Sequence, residues 1–563
     1  MRANLLTHGF SARALADLER VADHHAEPEV RAWAAREVAL WHMRQKTAEG
    51  YRAALLRIAE ARRDTQDHEL LRRLATIEIL CHHFLDAPEA GLAAWDRAAA
   101  AGSVDVDVLL ARINLESDPG RRVALINVAL AEFGIAPVTL APDDGLPPYD
   151  RLRALEAPEP VAGGPLVTVL VAAYRAADTL PTALRSLAEQ SWRNLEILVI
   201  DDASPDEGEM RQMVRQHAGR DPRIRLIEME ENGGAYVARN RGLDHANGRF
   251  VTLHDADDWS HPQKIEAQVR HLLDNPEVIG CTTDQARATS DLSFTRWTGR
   301  GEFLIGNTSS FMFRREIVQE HFGYWDTVRF SADNELIRRI RHGFGSGSVT
   351  ELKTGPLSFQ RDSDTSIIAS GPLGINGFLF GVRRDYLDAQ RVHRRSGGDL
   401  KYGPDPGARP FPVAVIMRPE RRALASGGRH FDLVIATDPR WSDDVAGSCA
   451  AEIAAARAMG LRVGLVILYR YALEEEETYR AQIRDELRRE IDGETVQMIG
   501  YGEEVSCDLL VLRDPRILQD RQRYVPRISA GASGFMGRHL VERCRTSGDR
   551  VITIGRGAGS DVL

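Results

Sequence analysis

Residues 166–258 alternate short apolar strands with helices, and this order constrains the fold more than any other feature. The predicted strands are 166–172, 195–200, 224–229 and 250–253, and helices are predicted at 179–190, at 207–217 and after the glycine turn at 232–234. Repeated strand–helix–strand units imply right-handed crossovers and a parallel sheet. Open parallel sheets bind ligands outside the carboxyl ends of their strands. The sequence therefore predicts an α/β domain with a crevice along one sheet edge.

Polar side chains follow three of these strands. Ala173 and Tyr174 end the first strand, and Asp202 follows the second. The last strand ends in a third group, the acidic run of Asp255, Asp257 and Asp258. Three carboxylates within four residues repel one another, and hard oxygen ligands suit Mg²⁺ or Mn²⁺. An ordinary acidic turn is the alternative, because Asp also forms turns and caps helices.

Five motifs together resemble an inverting family 2 glycosyltransferase of the GT-A fold. They are VTVLVAAY at 167–174, SLAEQSW at 186–192, LEILVIDDAS at 195–204, NGGAYVARN at 232–240 and DADD at 255–258. The resemblance covers residues 165–370. Residues 172–175 read AAYR where this family usually has Pro-x-Tyr-Asn, so the contact made at Arg175 is left open.

The resemblance implies roles for the residues that match these motifs. Asp202 would bind the nucleotide base, with Ala173 and Tyr174 nearby and with Arg239 and Asp255 completing the donor pocket. Asp257, helped by Asp255 or Asp258, would hold Mn²⁺ or Mg²⁺ on the donor diphosphate. A departing nucleoside diphosphate accumulates negative charge, and a metal fixed on it stabilises that charge.

Inverting transfer also requires a general base for the acceptor hydroxyl. By the same resemblance the base is an acidic residue that opens a helix, usually in a Glu-Asp pair. This chain has Ala332-Asp333 at that place, which makes Asp333 the candidate base and Glu335 the reserve candidate. A carboxylate at this position could instead only cap the helix.

The rest of the chain divides into further predicted regions. Residues 1–140 show helical periodicity and predict helical hairpins that loosely resemble tetratricopeptide repeats. The remaining predictions are a Pro/Gly-rich linker at 141–165, the glycosyltransferase-like domain at 166–370, a connector at 371–410, a second Rossmann-like α/β domain at 411–528 that resembles half of a GT-B enzyme, and a tail at 529–563. Within the second domain we predict strands at 413–417, 431–436, 461–468 and 509–512, with helices at 450–459 and 478–490.

The tail, 529–563, has the sequence GASGFMG at 531–537, which resembles the dinucleotide-binding turn of an extended short-chain dehydrogenase. The predicted turn is followed by a helix to residue 546 and a strand at 551–556. The chain then stops before such an enzyme's remaining sheet could follow. We expect a truncated segment that transfer does not require, so that a chain ending near Ser529 stays active.

Composition indicates where in the cell the protein acts and which classes of partner it binds. A net charge of −10 argues against a nucleic-acid partner, and five scattered cysteines fit a reducing cytosol. No signal peptide and no apolar run of membrane-spanning length is present, which predicts a cytoplasmic protein that can associate peripherally with the inner face of the membrane. The expected substrates are a nucleotide-diphosphate sugar, in the first place a UDP-sugar, and a glycan or glycolipid acceptor.

Two other functions stay open at the level of sequence. The tail glycines would suit an NAD(P)-dependent sugar-nucleotide epimerase or reductase, although its downstream catalytic residues are absent. The N-terminal helices would suit a non-catalytic scaffold that binds a protein partner. In the leading hypothesis, a hexosyltransferase acting in cell-surface polysaccharide or glycoconjugate synthesis, these helices serve acceptor or partner docking, and a chain beginning near Pro158 still binds donor.

Overall fold

The N-terminal part of the protein is helical. The computed structural model describes residues 1–6, 8–295, 301–362, 381–405, 407–419, 429–438, 440, 443–472, 483–513, 515–535 and 552–554. The first helices are α1 (Arg2–Leu6), α2 (Ser11–His24), α3 (Pro28–Met43), α4 (Ala48–Asp64), α5 (His68–Phe84), α6 (Pro88–Ala100), α7 (Val106–Ile113) and α8 (Pro119–Ala131). Side chains of Thr47, Asp67, Asp105 and Asp118 accept backbone N–H groups at the starts of α4, α5, α7 and α8. These caps satisfy donors that a helix cannot satisfy internally and fix where each helix begins.

A mixed eight-stranded sheet follows. Two short strands, β1 (Val138–Leu140) and β2 (Leu152–Ala154), first pair with each other. The sheet itself contains β3 (Val167–Ala173), β4 (Leu195–Asp201), β5 (Ile224–Glu228), β6 (Phe250–Leu253), β7 (Trp259–Ser260), β8 (Gly280–Ala288), β9 (Ile305–Arg314) and β10 (Val349–Arg361). Its strand order is β5-β4-β3-β6-β9-β8-β10-β7, with β5, β4, β3 and β6 parallel and β9 antiparallel to β6. The predicted α/β class and parallel half are confirmed.

Among the described residues, six helices cover this sheet. They are α9 (Leu180–Ala188), α10 (Glu209–Arg220), α11 (Ala235–Asp244), α12 (Lys264–Asp274), α13 (Arg315–His321) and α14 (Ala332–Phe344). Four of them, α9, α10, α11 and α14, lie where the sequence predicts a helix. Strands β3, β4 and β6 are almost entirely buried, as expected for parallel strands covered on both faces. The chain order reverses between β3 and β6, and that is where a parallel sheet opens a crevice.

The helical region and the sheet share one apolar core. Residues of α3 to α8 pack in the same buried cluster as Trp259, Phe294, Leu357 and Phe359 from the sheet side. Part of the predicted linker also lies in this core, since Tyr149 and Leu152 are fully buried. The Pro/Gly-rich linker predicted at 141–165 therefore contributes these two side chains to the core between the helices and the sheet.

A second α/β layer lies after α15 (Val382–Arg395) and contains α16 (Asp443–Ala458) and α17 (Asp485–Arg489). Its strands are β11 (Arg429–Thr437), β12 (Val463–Ile467), β13 (Val496–Ile499), β14 (Glu504–Leu512), β15 (Arg527–Phe535) and β16 (Ile552–Ile554). The order is β13-β12-β11-β14-β15-β16, and every neighbouring pair except β15–β16 is parallel. A second Rossmann-like sheet is therefore present.

Three predictions fail in this half. Residues 413–417 were expected to form a strand, but Val415–Met417 form a 3₁₀ turn. The predicted connector contains α15, whose Tyr386 and Val392 are buried against the rest of the protein. Gly531 lies inside β15, where Leu509 pairs with Ala532, so residues 531–535 are strand and not a dinucleotide-binding turn. Residues 536–551 lie outside the described part of the chain.

Four of the five cysteines are free and buried: Cys81, Cys281, Cys449 and Cys507. Cys544 lies outside the described residues. Within the described ranges, none of the helices combines the length and apolar character that crossing a membrane requires.

Candidate active site

The ends of β3 and β4 meet beside the crevice. The backbone N–H of Asp202 donates to the carbonyl oxygen of Ala173 (2.9 Å), which ties together the last residues of the two strands. Tyr174 follows directly and keeps 38% of its surface exposed, unlike the residues before it. Parallel pairing of β3 with β4 and β6 therefore brings three predicted donor-side positions to one edge.

Asp202 anchors the glycine turn that opens α11. Its carboxylate accepts from the backbone N–H groups of Gly233 (2.7 Å) and Gly234 (2.8 Å) and from the Asn232 side chain (2.9 Å). Gly234 has φ +83°, in the left-handed region that favours glycine. Asp202 is thus held rigidly at the N-terminus of the helix that carries Arg239.

Three of the seven described non-glycine residues with positive φ lie beside the candidate residues. Arg175 (φ 52°), Ala203 (φ 54°) and Ser331 (φ 70°) all adopt left-handed conformations although none is glycine. Each such residue costs about 1–3 kcal/mol, and strain of this kind clusters at functional sites. Two of the three positions directly follow Tyr174 and Asp202, and the third lies two residues before Asp333.

Arg239 is the centre of the site. Its Nη1 donates to both carboxylate oxygens of Asp333 (3.0 and 2.9 Å), and its Nη2 donates to Oδ1 of Asp255 (2.8 Å). Burial alone would lower the pKa of Arg239, but the two carboxylates raise it above its ordinary value. A permanently charged guanidinium therefore joins the acidic end of β6 to the start of α14.

Asp333 is buried in the first turn of α14, and its carboxylate also accepts the hydroxyl of Tyr236 (3.0 Å). Burial raises the pKa of Asp333, and the charge of Arg239 opposes that rise. Glu335, the reserve candidate, is completely buried and paired with Arg339 at 2.9 Å, whereas Asp333 keeps 6% of its surface exposed and is therefore the better placed of the two.

The acidic turn is held by positive groups of the protein itself. Asp258 is buried, and its Oδ1 accepts the backbone N–H of Arg361 (3.0 Å). Lys264 is buried nearby, and burial lowers its pKa to about 8. Burial, together with the charge of Lys264, lowers the pKa of His254 to about 3, so that imidazole stays neutral at neutral pH.

The three carboxylates predicted to hold a metal ion, Asp255, Asp257 and Asp258, have different surroundings in the structure. Within the described ranges no group of three or more His, Cys, Asp or Glu side chains is arranged to hold a metal ion. Asp258 is occupied by Arg361, whereas burial and the neighbouring Asp255 raise the pKa of Asp257 to about 6. Asp255 and Asp257 therefore fit a divalent cation that takes other ligands from a substrate diphosphate, as Mg²⁺ commonly does.

Sequence reasoning missed four residues that contact this site. Tyr236 lies in the NGGAY motif, which gave it a weak sequence signal, and Arg361 is the last residue of β10. Tyr149 and Asp150 had no such signal, because they lie in a Pro-rich segment far from any motif. After Arg361, the Asp362 carboxylate accepts a hydrogen bond from Arg287 (3.3 Å), and residues 363–370 lie outside the described ranges.

Comparison with known proteins places these residues in a family. The model described as glycosyl transferase family 2 matches residues 168–339. The succinoglycan biosynthesis protein ExoO of Rhizobium meliloti is 31% identical over 291 residues, a match that covers 46% of this chain and 79% of ExoO. The amylovoran biosynthesis glycosyltransferase AmsB of Erwinia amylovora is 34% identical over 99 residues, covering 18% of this chain and 33% of AmsB.

Other relatives and one solved structure also match parts of the chain. The glycosyltransferase YibD of Escherichia coli, described as uncharacterized, is 36% identical over 119 residues, which cover 21% of this chain and 34% of YibD. Two further relatives from Bacillus subtilis are matched over 43% and 63% of their length. Among solved structures, the mannosyltransferase PcManGT of Pyrobaculum calidifontis, in complex with GDP-Man and Mn²⁺, has a TM-score of 0.30 at 19% identity, over 52% of this chain and 75% of that one.

Proposed function

This chain belongs to glycosyl transferase family 2, and from that premise we propose that it transfers a sugar, with inversion, from a nucleotide-diphosphate donor to a hydroxyl acceptor. The observation that carries the proposal is the bridge made by Arg239 between Asp255 and Asp333. It brings a candidate donor-binding carboxylate and a candidate base within reach of one guanidinium.

The residues divide into a donor side and an acceptor side. Ala173, Tyr174 and Asp202 border the place where the nucleotide would lie, and the glycine turn at 232–234 gives close access to main chain. Asp333 takes the proton of the acceptor hydroxyl as its oxygen bonds to the anomeric carbon. The bond from that carbon to the phosphate oxygen breaks, and the nucleoside diphosphate leaves with the electron pair. General-base assistance of this kind contributes roughly 10²–10⁴ in rate.

Arg239 favours the ionised form of Asp333 for this step. Burial raises the pKa of Asp333, and a protonated carboxyl could not act as a base. The guanidinium favours the charged form, because an opposite charge at hydrogen-bond distance lowers a carboxyl pKa. Tyr236 donates a further hydrogen bond to the same carboxylate.

Asp255 and Asp257 are the residues that would hold Mn²⁺ or Mg²⁺. When bound, the cation neutralises charge on the departing diphosphate. Asp258 would support the turn without binding the ion, since its carboxylate is committed to Arg361.

A cell-surface polysaccharide is the acceptor class we propose. Two relatives are named for succinoglycan and amylovoran biosynthesis, which supports a growing glycan or glycolipid acceptor. A UDP-sugar is the first donor to test, and a cytoplasmic location, with or without peripheral attachment to the inner face of the membrane, is part of the same proposal.

The test starts with nucleotide binding to the full chain. UDP, GDP and dTDP are screened by thermal shift with and without Mn²⁺, because binding to the native state at 100 times Kd stabilises by about 2.7 kcal/mol. Sugars on the nucleotide that binds are then assayed for donor hydrolysis and transfer, and ¹H NMR reports the anomeric configuration of the product.

We expect one nucleotide to stabilise the protein only with the metal, and the product to have the inverted configuration. If no nucleoside diphosphate stabilises the protein under any metal condition, the proposed function is wrong. A product of retained configuration would leave donor use intact but exclude Asp333 as an inverting base.

A further inference from the structure

The acidic turn is fixed from outside the family 2 sheet by a segment that precedes it in the chain. The hydroxyl of Tyr149 accepts the backbone N–H of Trp259 (3.0 Å) and donates to the carbonyl oxygen of Phe359 (2.5 Å). Tyr149 is completely buried. One side chain from the predicted linker thus joins the residue after the acidic turn to strand β10.

The next residue, Asp150, holds Arg361. Both terminal nitrogens of Arg361 donate to the carboxylate of Asp150, which also accepts the hydroxyl of Thr182 (2.7 Å). The guanidinium lies 4.2 Å from the centre of the Tyr149 ring. Arg361 and Asp150 are both buried, so this pair is shielded from water, and Thr182 and the Tyr149 ring help to fix its geometry.

Arg361 in turn fixes the peptide between the two last carboxylates. Its Nε donates to the carbonyl oxygen of Asp257 (3.2 Å), and its backbone N–H donates to the Asp258 carboxylate (3.0 Å). The N–H of Asp258 donates to the carbonyl oxygen of Asp255 (3.3 Å). Both ends of the 257–258 peptide are therefore bonded, and the Cα–Cβ direction of Asp257 cannot rotate freely.

We propose that Tyr149 and Asp150 are positioning residues for the candidate metal ligand Asp257, acting through Arg361. The inference rests on the proposed function, because it assigns these residues to the same donor site. Partners behind a metal ligand orient it, and their loss typically costs about 10–100-fold in metal affinity or activity. The segment that joins the helical region to the sheet therefore belongs to the donor site.

The competing explanation is that this pair only holds the helical region against the sheet. Removing one partner of a buried ion pair destabilises a protein by about 3–5 kcal/mol, so a drop in stability alone distinguishes nothing. Metal requirement does distinguish the two, because a purely structural contact would leave the half-saturating metal concentration unchanged in the folded variant.

The experiment compares Asp150→Asn with the wild type in the full chain. Mn²⁺ is titrated in the presence of saturating UDP or GDP, whichever stabilises the wild type, and free Mn²⁺ is followed by EPR. Asp150→Asn is expected to raise the half-saturating Mn²⁺ concentration about 10-fold, with a smaller rise for Tyr149→Phe. Asp385→Asn is the matched control, because Asp385 forms a buried pair with Arg488 in another part of the protein.

A double variant separates positioning from folding. Asp150→Asn combined with Arg361→Met removes both charges, which restores much of the stability that a single unpaired charge loses. Positioning predicts that the double variant melts closer to the wild type while its Mn²⁺ requirement stays raised. Recovery of both quantities in the double variant would overturn the inference.

The experiment can overturn the positioning role of Tyr149 and Asp150 without overturning the proposed function. If the wild type binds neither UDP nor GDP with Mn²⁺, the proposed function is wrong and this inference is wrong with it. If the wild type binds one of them and Asp150→Asn, folded, needs no more Mn²⁺ than the Asp385→Asn control, the inference alone is wrong.

Discussion

Arg239 and Asp333 form a buried pair in which one nitrogen, Nη1, contacts both carboxylate oxygens, at 3.0 and 2.9 Å. The pair crosses from the helix after the glycine turn to the helix that opens after Ser331. Nη2 of the same arginine contacts Asp255. Because the guanidinium is planar and rigid, a shift of Asp255 on the donor side would also move the contact that Arg239 makes with the candidate base, Asp333.

Asp333→Asn should nearly abolish transfer and spare donor binding. The amide keeps the size and part of the hydrogen bonding of the carboxylate but cannot accept the proton, so we expect a loss of roughly 10²–10⁴ in kcat. Nucleotide and Mn²⁺ affinity, measured by thermal shift, should stay near wild type because Asp255 still pairs with Arg239. Tyr236→Phe removes only one hydrogen bond to Asp333 and should reduce kcat far less. If Asp333→Asn turned over at the wild-type rate, a residue other than Asp333 would be the general base.

Arg239→Lys should damage binding and catalysis together. A lysine carries one ammonium on a flexible stem and cannot contact Asp255 and Asp333 at once as the guanidinium does. We expect weaker nucleotide binding with Mn²⁺ and a lower kcat, measured by titration and by initial rates. Arg223→Lys serves as the matched control, since Arg223 forms a half-buried pair with Asp221, a residue without a role in the candidate site. Equal effects of the two substitutions would contradict the central role of Arg239.

The sequence could predict what depends on local pattern. Strand Phe250–Leu253 and the helix after the glycine turn follow from apolar runs and turn chemistry, and the order of these units determines the parallel half of the sheet. Asp202 and Asp255 were predicted to face one crevice because parallel strands end at one edge. The structure brings them there.

Contacts between distant segments could not be predicted in this way. Tyr149 and Arg361 are separated by more than two hundred residues, and neither a Pro-rich segment nor a charged loop carries a periodic signal. The different roles of Asp255, Asp257 and Asp258 could not be predicted for the same reason. The backbone N–H of Arg361, which is distant in sequence, bonds the carboxylate of Asp258 and so determines which of the three is already occupied. The glycines at 531–534 match a turn by composition, yet parallel pairing with β14 makes them strand.

A chain ending at Ser529 should be less stable than the sequence suggested. Strand β15 pairs with β14 from Arg527 to Phe535, and Ile528 and Ala530 are buried, so the cut falls inside a central strand. We now expect the C-terminal sheet to unfold at lower temperature, followed by calorimetry, whereas a cut after Phe535 should be milder. If the chains ending at Ser529 and at Phe535 have the same melting temperature, residues 530–535 do not stabilise the protein and the tail is dispensable.

A chain beginning near Pro158 should fail to bind donor with the metal, in contrast to the expectation from sequence. It lacks Tyr149 and Asp150, and it exposes apolar side chains such as Phe294 and Phe359 that pack against the helices. We expect a lower melting temperature and no Mn²⁺-dependent stabilisation by nucleotide. Wild-type binding by this shortened chain would show that the acidic turn needs nothing from the preceding segment.

Asp257 should make the metal-free protein less stable at neutral pH than it is in acid. Its pKa rises from the ordinary value of 3.8 to about 6, through burial first and then through Asp255. A folded-state pKa above the unfolded value means that the native state binds the proton more tightly, so stability falls as pH rises from about 4 to about 6.

Asp257→Asn should remove that loss of stability together with the metal site. Two pKa units correspond to an upper limit of about 3 kcal/mol, so the metal-free variant should be more stable than wild type above pH 6, and the gain should vanish near pH 4. Urea unfolding at pH 8 and pH 4 measures this. Adding Mn²⁺ with the nucleotide should stabilise the wild type at pH 8 and leave the variant unchanged, because the cation supplies the positive charge that Asp257 otherwise lacks. Two results would contradict this prediction: the gain in stability of the variant over wild type could be no larger at pH 8 than at pH 4, or Mn²⁺ could still stabilise the variant. Either result would make the acidic turn a structural feature without a role in metal binding.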